Sequence, residues 1–308
     1  MSEINLSPEQ FQPVIVDDMT AEEITRPPIG YWQDVWMRFR KNRLALVGLA
    51  VLAAMVFMSI VGPLIGGWDY RSMDYEAGTN ALPSGKHWFG TDYLGRDMFV
   101  RLWTGTRISI FIGVMAAALD LVIGVTYGGI SGYFGGVVDD VMMRIVDVLY
   151  GIPYLLMVIL LLVVMRPGLA SIILAMVITG WCSMARLVRG QVLQLKEMEY
   201  VLAARSIGAS PRRIIARHLI PNTMGVVLVS LTMTIPGAIF TEAFLSFIGL
   251  GVPMPLASMG TLANEGYQVL LVHPHNLIIP AVAISLLILS FNFVGDGLRD
   301  ALDPRLRQ

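Results

Sequence analysis

The sequence predicts an all-α integral membrane protein with six transmembrane helices, on three observations. Charged residues make up only 15% of the chain and the mean hydropathy is +0.66, a balance typical of chains with membrane-spanning apolar runs and rare in soluble domains. Six apolar segments are each near the length a bilayer requires. The basic residues fall unevenly between the segments that connect them. The net charge of −1 gives no global basic balance that would point to nucleic acid.

In chain order, residues 1–29 are polar, carry Asp17, Asp18, Glu22 and Glu23, and end soon after Pro27-Pro28. They read as a loosely ordered cytoplasmic tail without a signal peptide. In residues 30–43, Trp32, Val35, Trp36 and Phe39 recur at helical spacing beside Arg38, Arg40, Lys41 and Arg43. Such an amphipathic helix lies in the membrane interface or simply flanks the first span. The spans are expected at Leu44–Ile65, Ile108–Ser131, Val141–Val164, Leu169–Leu187, Thr223–Phe247 and Leu277–Val294. Residues 44–107 thus hold the first span and an outer loop, 108–298 a transmembrane core, and 299–308 a C-terminal tail. Arg166-Pro167-Gly168 supplies a tight turn between the third and fourth spans. Gly124, Gly128, Gly132 and Gly136, spaced four apart, let another helix approach the second span closely, or form a moving interface. Nineteen methionines suit adaptable apolar packing, and the single Cys182 cannot form an internal disulfide.

With the N-terminus inside, cytoplasmic segments hold sixteen of the twenty-two Lys and Arg residues. The outer side holds Arg71, Lys86, Arg96, Arg101, Arg107 and Arg166. That asymmetry predicts both termini in the cytoplasm, and with them the stretch Glu199–Pro221. Within or beside this stretch cluster Lys196, Arg205, Arg212, Arg213, Arg217 and His218. Its local grammar is two short helices about a joint. Tyr200–Ile207 consists of helix formers, and Gly208 supplies a left-handed stop. Ser210 is an N-cap and Pro211 sits at the first helical position. The second helix is expected to run to Ile220 and to end at Pro221-Asn222.

These residues also resemble the coupling (EAA) loop of binding-protein-dependent ABC importer permeases. Set on Gly208, the spacing of that motif carries through Ala203-Ala204, upstream, to Ile220-Pro221. Leu202 takes the place of its Glu and His218 that of its Ile. Three further stretches are similar to the dipeptide and oligopeptide permease branch: His87–Arg107, Ser246–Leu262 and Phe291–Arg307. Met259 departs from the Trp usual there. The resemblance implies a type I ABC importer permease fold and ATPase coupling through residues 196–221, with Glu199, Ala203, Ala204, Arg205, Gly208, Ser210, Pro211, Arg217 and Pro221 as the candidates. It implies a second homologous permease, two ATPase subunits that bind ATP and Mg, an extracytoplasmic peptide-binding protein, and a peptide crossing between the two permeases in the lipid bilayer. Asp92, Arg96 and Asp97 offer polar contacts where the binding protein would dock; a solvated loop is the alternative. Nickel chelate or glutathione would be carried by the same kind of complex.

Catalysis has little support. Gly85-Lys86 lacks the rest of a phosphate-binding loop, since Asn80 stands where its first Gly belongs and His87 where its Ser or Thr does. No catalytic residue, metal site or cofactor of this chain's own is expected; His273 and His275 have only Glu265 near them as an acid. Two acids fall within the spans. Glu242 reads either as part of a translocation path or as a polar link between helices, whereas for Asp120 the cost of burial favours the link. An ion-coupled secondary transporter would show paired intramembrane charges or corresponding broken helices, and a membrane-embedded enzyme convergent catalytic groups. Neither pattern stands out.

Overall fold

A computed structural model describes residues 30–165 and 168–302. The expected tail 1–29, the Arg166-Pro167 part of the turn and the last six residues of the expected C-terminal tail lie outside the described residues. The described residues are all helical, with no strand among them, and 76% of them lie in helices.

Helix α1 (Tyr31–Phe39) leads through Asn42 into α2 (Arg43–Ile65), whose first turn is capped by the Asn42 side chain accepting from Ala45 N. Val35 and Phe39 pack inward against Ala45, Ala301 and Leu302, while Trp32 and Trp36 stay exposed. The apolar face expected of α1 is therefore divided between the bundle and its surroundings.

The second span is longer than expected. Helix α3 runs Met98–Phe134, ten residues upstream of the expected start at Ile108, because Asp97 caps it by accepting from Val100 N at 2.8 Å. Its glycines are a packing face. A Cβ on Gly124 would meet Met184 Cβ at 2.6 Å, and one on Gly128 would meet the Ala185 carbonyl at 2.3 Å. Gly132 faces Val192 in the same way, so α3 lies directly on α6 (Leu169–Leu195). Gly136 is different: with Gly135 it turns the chain at positive φ (51° and 65°).

The third expected span, Val141–Val164, is not one helix. Helices α4 (Gly136–Tyr150) and α5 (Tyr154–Val164) meet at 80° across Gly151-Ile152-Pro153. Pro153 has no N–H to continue the ladder and disfavours helical geometry in the residue before it, so an apolar run that reads as continuous breaks there. Among the described residues, five helices are long and apolar enough to cross a membrane, or six if this bent pair is one span.

After α6 come α7 (Glu199–Ser206) and α8 (Pro211–Ile214). A π-helical turn (Ile215–Leu219) then leads without interruption into α9 (Ile220–Phe247). Pro221 therefore does not end the second short helix as expected. An α-helical Pro221 would set its ring against the Arg217 carbonyl and leave that carbonyl unbonded; the wider turn, in which Ile220 N reaches back to Ile215 O, makes room for it. Helix α10 (Met259–Gln268) starts on a Ser258–Thr261 capping box, and α11 (His275–Leu302) closes the bundle against α2, α9 and α10. Met259 is fully buried in an apolar cluster with Met98, Ile239, Leu262 and Leu287.

Candidate functional site

The stretch around Gly208 is built as an elbow. Gly208 has φ +82°, its N–H reaches Arg205 O, and Ala209 N reaches Ala204 O at 3.0 Å, which together make a Schellman stop. Ser210 then accepts from Arg213 N and Pro211 opens the next helix. One side of the elbow is welded to the spans: Val201, Ile214 and Leu219 are buried with Val125, Met184, Val188, Val192 and Val227 from α3, α6 and α9. The other side is open and mixed. Ile207, at the tip, is 87% exposed, and Met198, Tyr200 and Leu202 are exposed beside Glu199, Ala203, Ser210, Pro211, Arg212, Arg213, Arg217 and Pro221. Of the expected coupling residues, one is turned into its own chain, while Arg205 is exposed and also touches it. Ala204 is buried, and Arg205 lies over the Tyr133 ring at 5.7 Å. Ile207, which sequence reasoning passed over, is the most exposed apolar side chain of the elbow; an isoleucine directly before a left-handed glycine was the available signal. Beneath the elbow, Arg189 grips Asp139 with both Nε and Nη2 at 2.5 Å, and Ser131 donates to the same carboxylate.

A second feature lies at the broken span. A cavity of about 490 Å³ is bounded by α3, α6, α9 and the α4–α5 joint, with Asp120, Tyr150, Tyr154, Thr179, Thr234 and Thr241 on its wall. Asp120 was expected to be a translocation-path residue or, in preference, a link between helices; its buried Oδ1 has no hydrogen-bond partner. Gly180 makes room for the carboxylate, since a Cβ there would stand 2.4 Å from Asp120 Oδ2. Thr179 Oγ1 is likewise buried and unpartnered. Sequence reasoning missed Thr179 and the joint; the Gly-Ile-Pro interruption of an apolar run was the signal for the joint, and nothing local marks Thr179.

Glu242 belongs to a different arrangement. It is fully buried, accepts from Ser109 and Ser246 at 2.7 Å each, and Ser258 donates onward to Ser246. Ser109 Oγ also accepts from Met259 N. This node joins α3, α9 and α10 and is absent from the cavity wall.

The loop expected on the outer side is likewise not a solvated one. Asp92, Arg96 and Asp97, expected to present polar contacts, are 2–3% exposed. Arg96 Nε donates to Asp92 Oδ2 at 2.6 Å, while Leu94 N and Arg96 N close a turn on Asp92 Oδ1. Arg101, counted in the sequence as one more outer cation, is 1% exposed and donates to Asp92 and Glu265. His87 sits between Asp97 (Nδ1, 2.7 Å) and Asp74 (Nε2, 3.1 Å). The Lys86 ammonium, 2.7 Å from Asp74 Oδ2, together with the His87 ring, holds the Asp74 carboxyl well below its ordinary value; Asp74 in turn raises Lys86. These charges pair with one another and stiffen a cap over α3 and α10; Asp74, His87, Asp92, Arg96, Asp97 and Arg101 are buried in it, and Lys86 stays half-exposed. Among the described residues there is no cluster of His, Cys, Asp and Glu that could hold a metal.

Comparison with known proteins is consistent with this geometry. Residues 124–308 match the family described as binding-protein-dependent transport system inner membrane component, and residues 30–83 match the N-terminal TM domain of oligopeptide transport permease C. The chain is 53% identical to the oligopeptide transport system permease protein OppC of Bacillus subtilis, over 99% of both chains. It is also 53% identical to the dipeptide transport system permease protein DppC of the same organism, over 94% of this chain and 90% of that one. A glutathione transport system permease protein, GsiD of Pectobacterium atrosepticum, is 39% identical over 90% of this chain and 92% of that one. Among solved structures, an inward-facing MetNI methionine ABC transporter superposes with a TM-score of 0.52 at 20% identity, covering 67% of this chain and 98% of that one. The fold is that of a type I ABC importer permease, and the chain belongs to the family of binding-protein-dependent transport system inner membrane components.

Proposed function

We propose that the chain is one of two homologous permease subunits of an importer that carries dipeptides or oligopeptides across the cytoplasmic membrane. In this reading two separate ATPase subunits bind ATP and Mg, and an extracytoplasmic peptide-binding protein delivers the peptide. The chain itself holds no cofactor and performs no catalysis. The elbow Glu199–Pro221 and both termini lie on the cytoplasmic side, and the cap organised by Asp92, Arg96, Asp97 and Arg101 meets the binding protein. The observation that carries the reading is the open face of the elbow. Ile207, Leu202, Tyr200 and Met198 expose apolar surface on a short cationic segment outside the apolar spans, where only a protein partner would cover it. The 53% identity to oligopeptide and dipeptide permeases supports peptides as the cargo. The more distant glutathione permeases keep a small peptide derivative as a second reading.

The test is Gly208→Val. No atom lies within 4 Å of a Cβ built at Gly208, so the strain arises from φ +82° alone, and forcing that conformation costs about 1–2 kcal/mol. The buried face of the elbow and the spans remain packed, so protein level and binding-protein affinity stay near wild type. Uptake and substrate-stimulated ATPase activity of the reconstituted complex are lost, because the two short helices leave the joint at a different angle. Normal stimulated turnover in this variant would mean that the elbow is only a basic loop.

A further inference from the structure

We propose that Asp120 and Thr179 form, on the wall of the cavity at the broken span, a subsite for an alkylammonium group: the free amino end of a peptide in transit. This rests on the peptide-importer reading above and adds to it which end of the cargo this subunit recognises.

The acids buried within the spans differ in one respect. Glu242 receives two hydroxyls, and Asp139 receives Arg189 and Ser131. Asp120, only 7% exposed, leaves Oδ1 without a donor. An ionisable group at membrane depth without a partner is expensive and is the mark of a pathway or a ligand site. The acceptor on the neighbouring helix, Thr179 Oγ1, is 8% exposed as a residue and equally unpartnered. An ammonium group brings three donors and no acceptor, and the unpartnered Asp120 carboxylate and Thr179 hydroxyl, on residues that line the cavity, can each accept one.

The surroundings favour a cation for three further reasons. Tyr150 and Tyr154 line the cavity, and aromatic rings attract a positive charge. Helix α4 ends at Tyr150, so its terminal carbonyls, the negative end of its dipole, stand at the cavity edge. No Lys, Arg or His lines the cavity. Arg186, which packs over Tyr150 from outside at 4.3 Å, is bound to Asp147 at 2.7 Å and is not available to neutralise Asp120. The volume of about 490 Å³ is that of a site for a small ligand or the end of a longer one. A peptide carboxylate finds no cation here, so the subsite is specific for the amino end.

The test uses the assembled importer with its partner permease, ATPases and binding protein. The probe is an alanine tripeptide with a photoreactive benzoylphenylalanine at its second position, used with a free amino end or N-acetylated. During turnover the free-amine probe should label wild-type peptide segments containing Asp120 or Thr179, and the acetylated probe should not. Asp120→Asn should cut that labelling about tenfold or more, the loss expected of a charge-assisted hydrogen bond. Thr179→Val should cut it less, and Asp120→Glu should restore part of it. Cavity labelling indifferent to acetylation or to Asp120→Asn, or no cavity labelling at all, would overturn the subsite. Uptake of the unmodified tripeptide by the same wild-type preparation separates the two levels. If it is taken up, only the subsite fails; if no peptide is taken up, the importer reading fails and the subsite with it.

Discussion

Replacing Arg101 by Met should loosen the cap over α3 and α10 from within. The Arg101 guanidinium is 1% exposed; its Nη1 donates to Asp92 and, at 2.6 Å, to Glu265 Oε2, and its Nη2 donates to Glu265 Oε1 at 3.1 Å. Met fills much of the same volume but gives the two carboxylates no donor. Arg96 keeps its 2.6 Å bond to Asp92, yet its Nη2 stands 3.6 Å from Glu265, too far for a hydrogen bond. Breaking a buried pair by removing one partner costs about 3–5 kcal/mol. Glu265 is partly open to water and Arg96 remains, so the lower end applies, about 3 kcal/mol, equivalent to roughly two orders of magnitude in an opening equilibrium. Hydrogen exchange of the complex in detergent reads this directly at Asn80 N, bonded to Asp92 O at 2.8 Å, and at Thr91 N, bonded to Ala81 O at 3.1 Å. Both amides should exchange about a hundredfold faster if the cap opens as one unit. Arg101→Lys should fall between, since an ammonium keeps the charge but lacks the fork. Exchange within about threefold of wild type in the Met variant would refute the claim that buried pairing stiffens the cap.

Two other outcomes follow from the same geometry. Asp74 has a depressed folded value, so its contribution is present above the ordinary 3.8 and is lost as pH falls. Cap order, followed by the fluorescence of Trp68, whose ring lies 4.8 Å from that of His87, should begin to fall below about pH 4. Asp74→Asn should remove that acid step, and an unchanged acid profile in the variant would count against it. For topology, cysteines placed at exposed Ser84 and Ser210 should respond differently to an impermeant thiol reagent in intact cells, with only position 84 labelled. The native Cys182 is buried and gives no background, and labelling at 210 would reverse the orientation.

What the sequence made legible was local. Gly208, Ser210 and Pro211 each do one thing to the backbone that few other residues do as well, so the elbow could be drawn before any contact was known. The four-residue glycine spacing likewise announced a close helix approach, and Gly124, Gly128 and Gly132 make it. Legibility ended where a residue's effect depends on a distant partner. Arg101 and Glu265 are 164 positions apart, and nothing in either neighbourhood marks the pairing. Asp97 was read as a surface charge, although an Asp just before an apolar helical run is also an N-cap. Pro153 and Pro221 show the limit within local reasoning itself. One breaks an apolar run that hydropathy reads as continuous; the other, expected to end a helix, is absorbed by a π turn. Asp120 and Glu242 look alike in sequence, and only the hydroxyls around them separate an open carboxylate from a closed node.

Because Pro221 does not break the chain, Pro211 to Phe247 form one unbroken helical stretch of 37 residues. Its far end is pinned where Glu242 meets Ser109, with Ser258 joined through Ser246, and its near end carries the elbow. The arm from Pro211 to that pin is about 47 Å at the rise of an α-helix. A fulcrum so far from the handle trades distance for angle: a 3 Å push on the elbow turns the whole arm by only about 4°. Thr234, Gly237 and Thr241, on the cavity wall, lie in the last third of that arm, close to the pivot. The largest sweep therefore occurs at the elbow end, and the cavity wall on α9 rotates in place more than it travels.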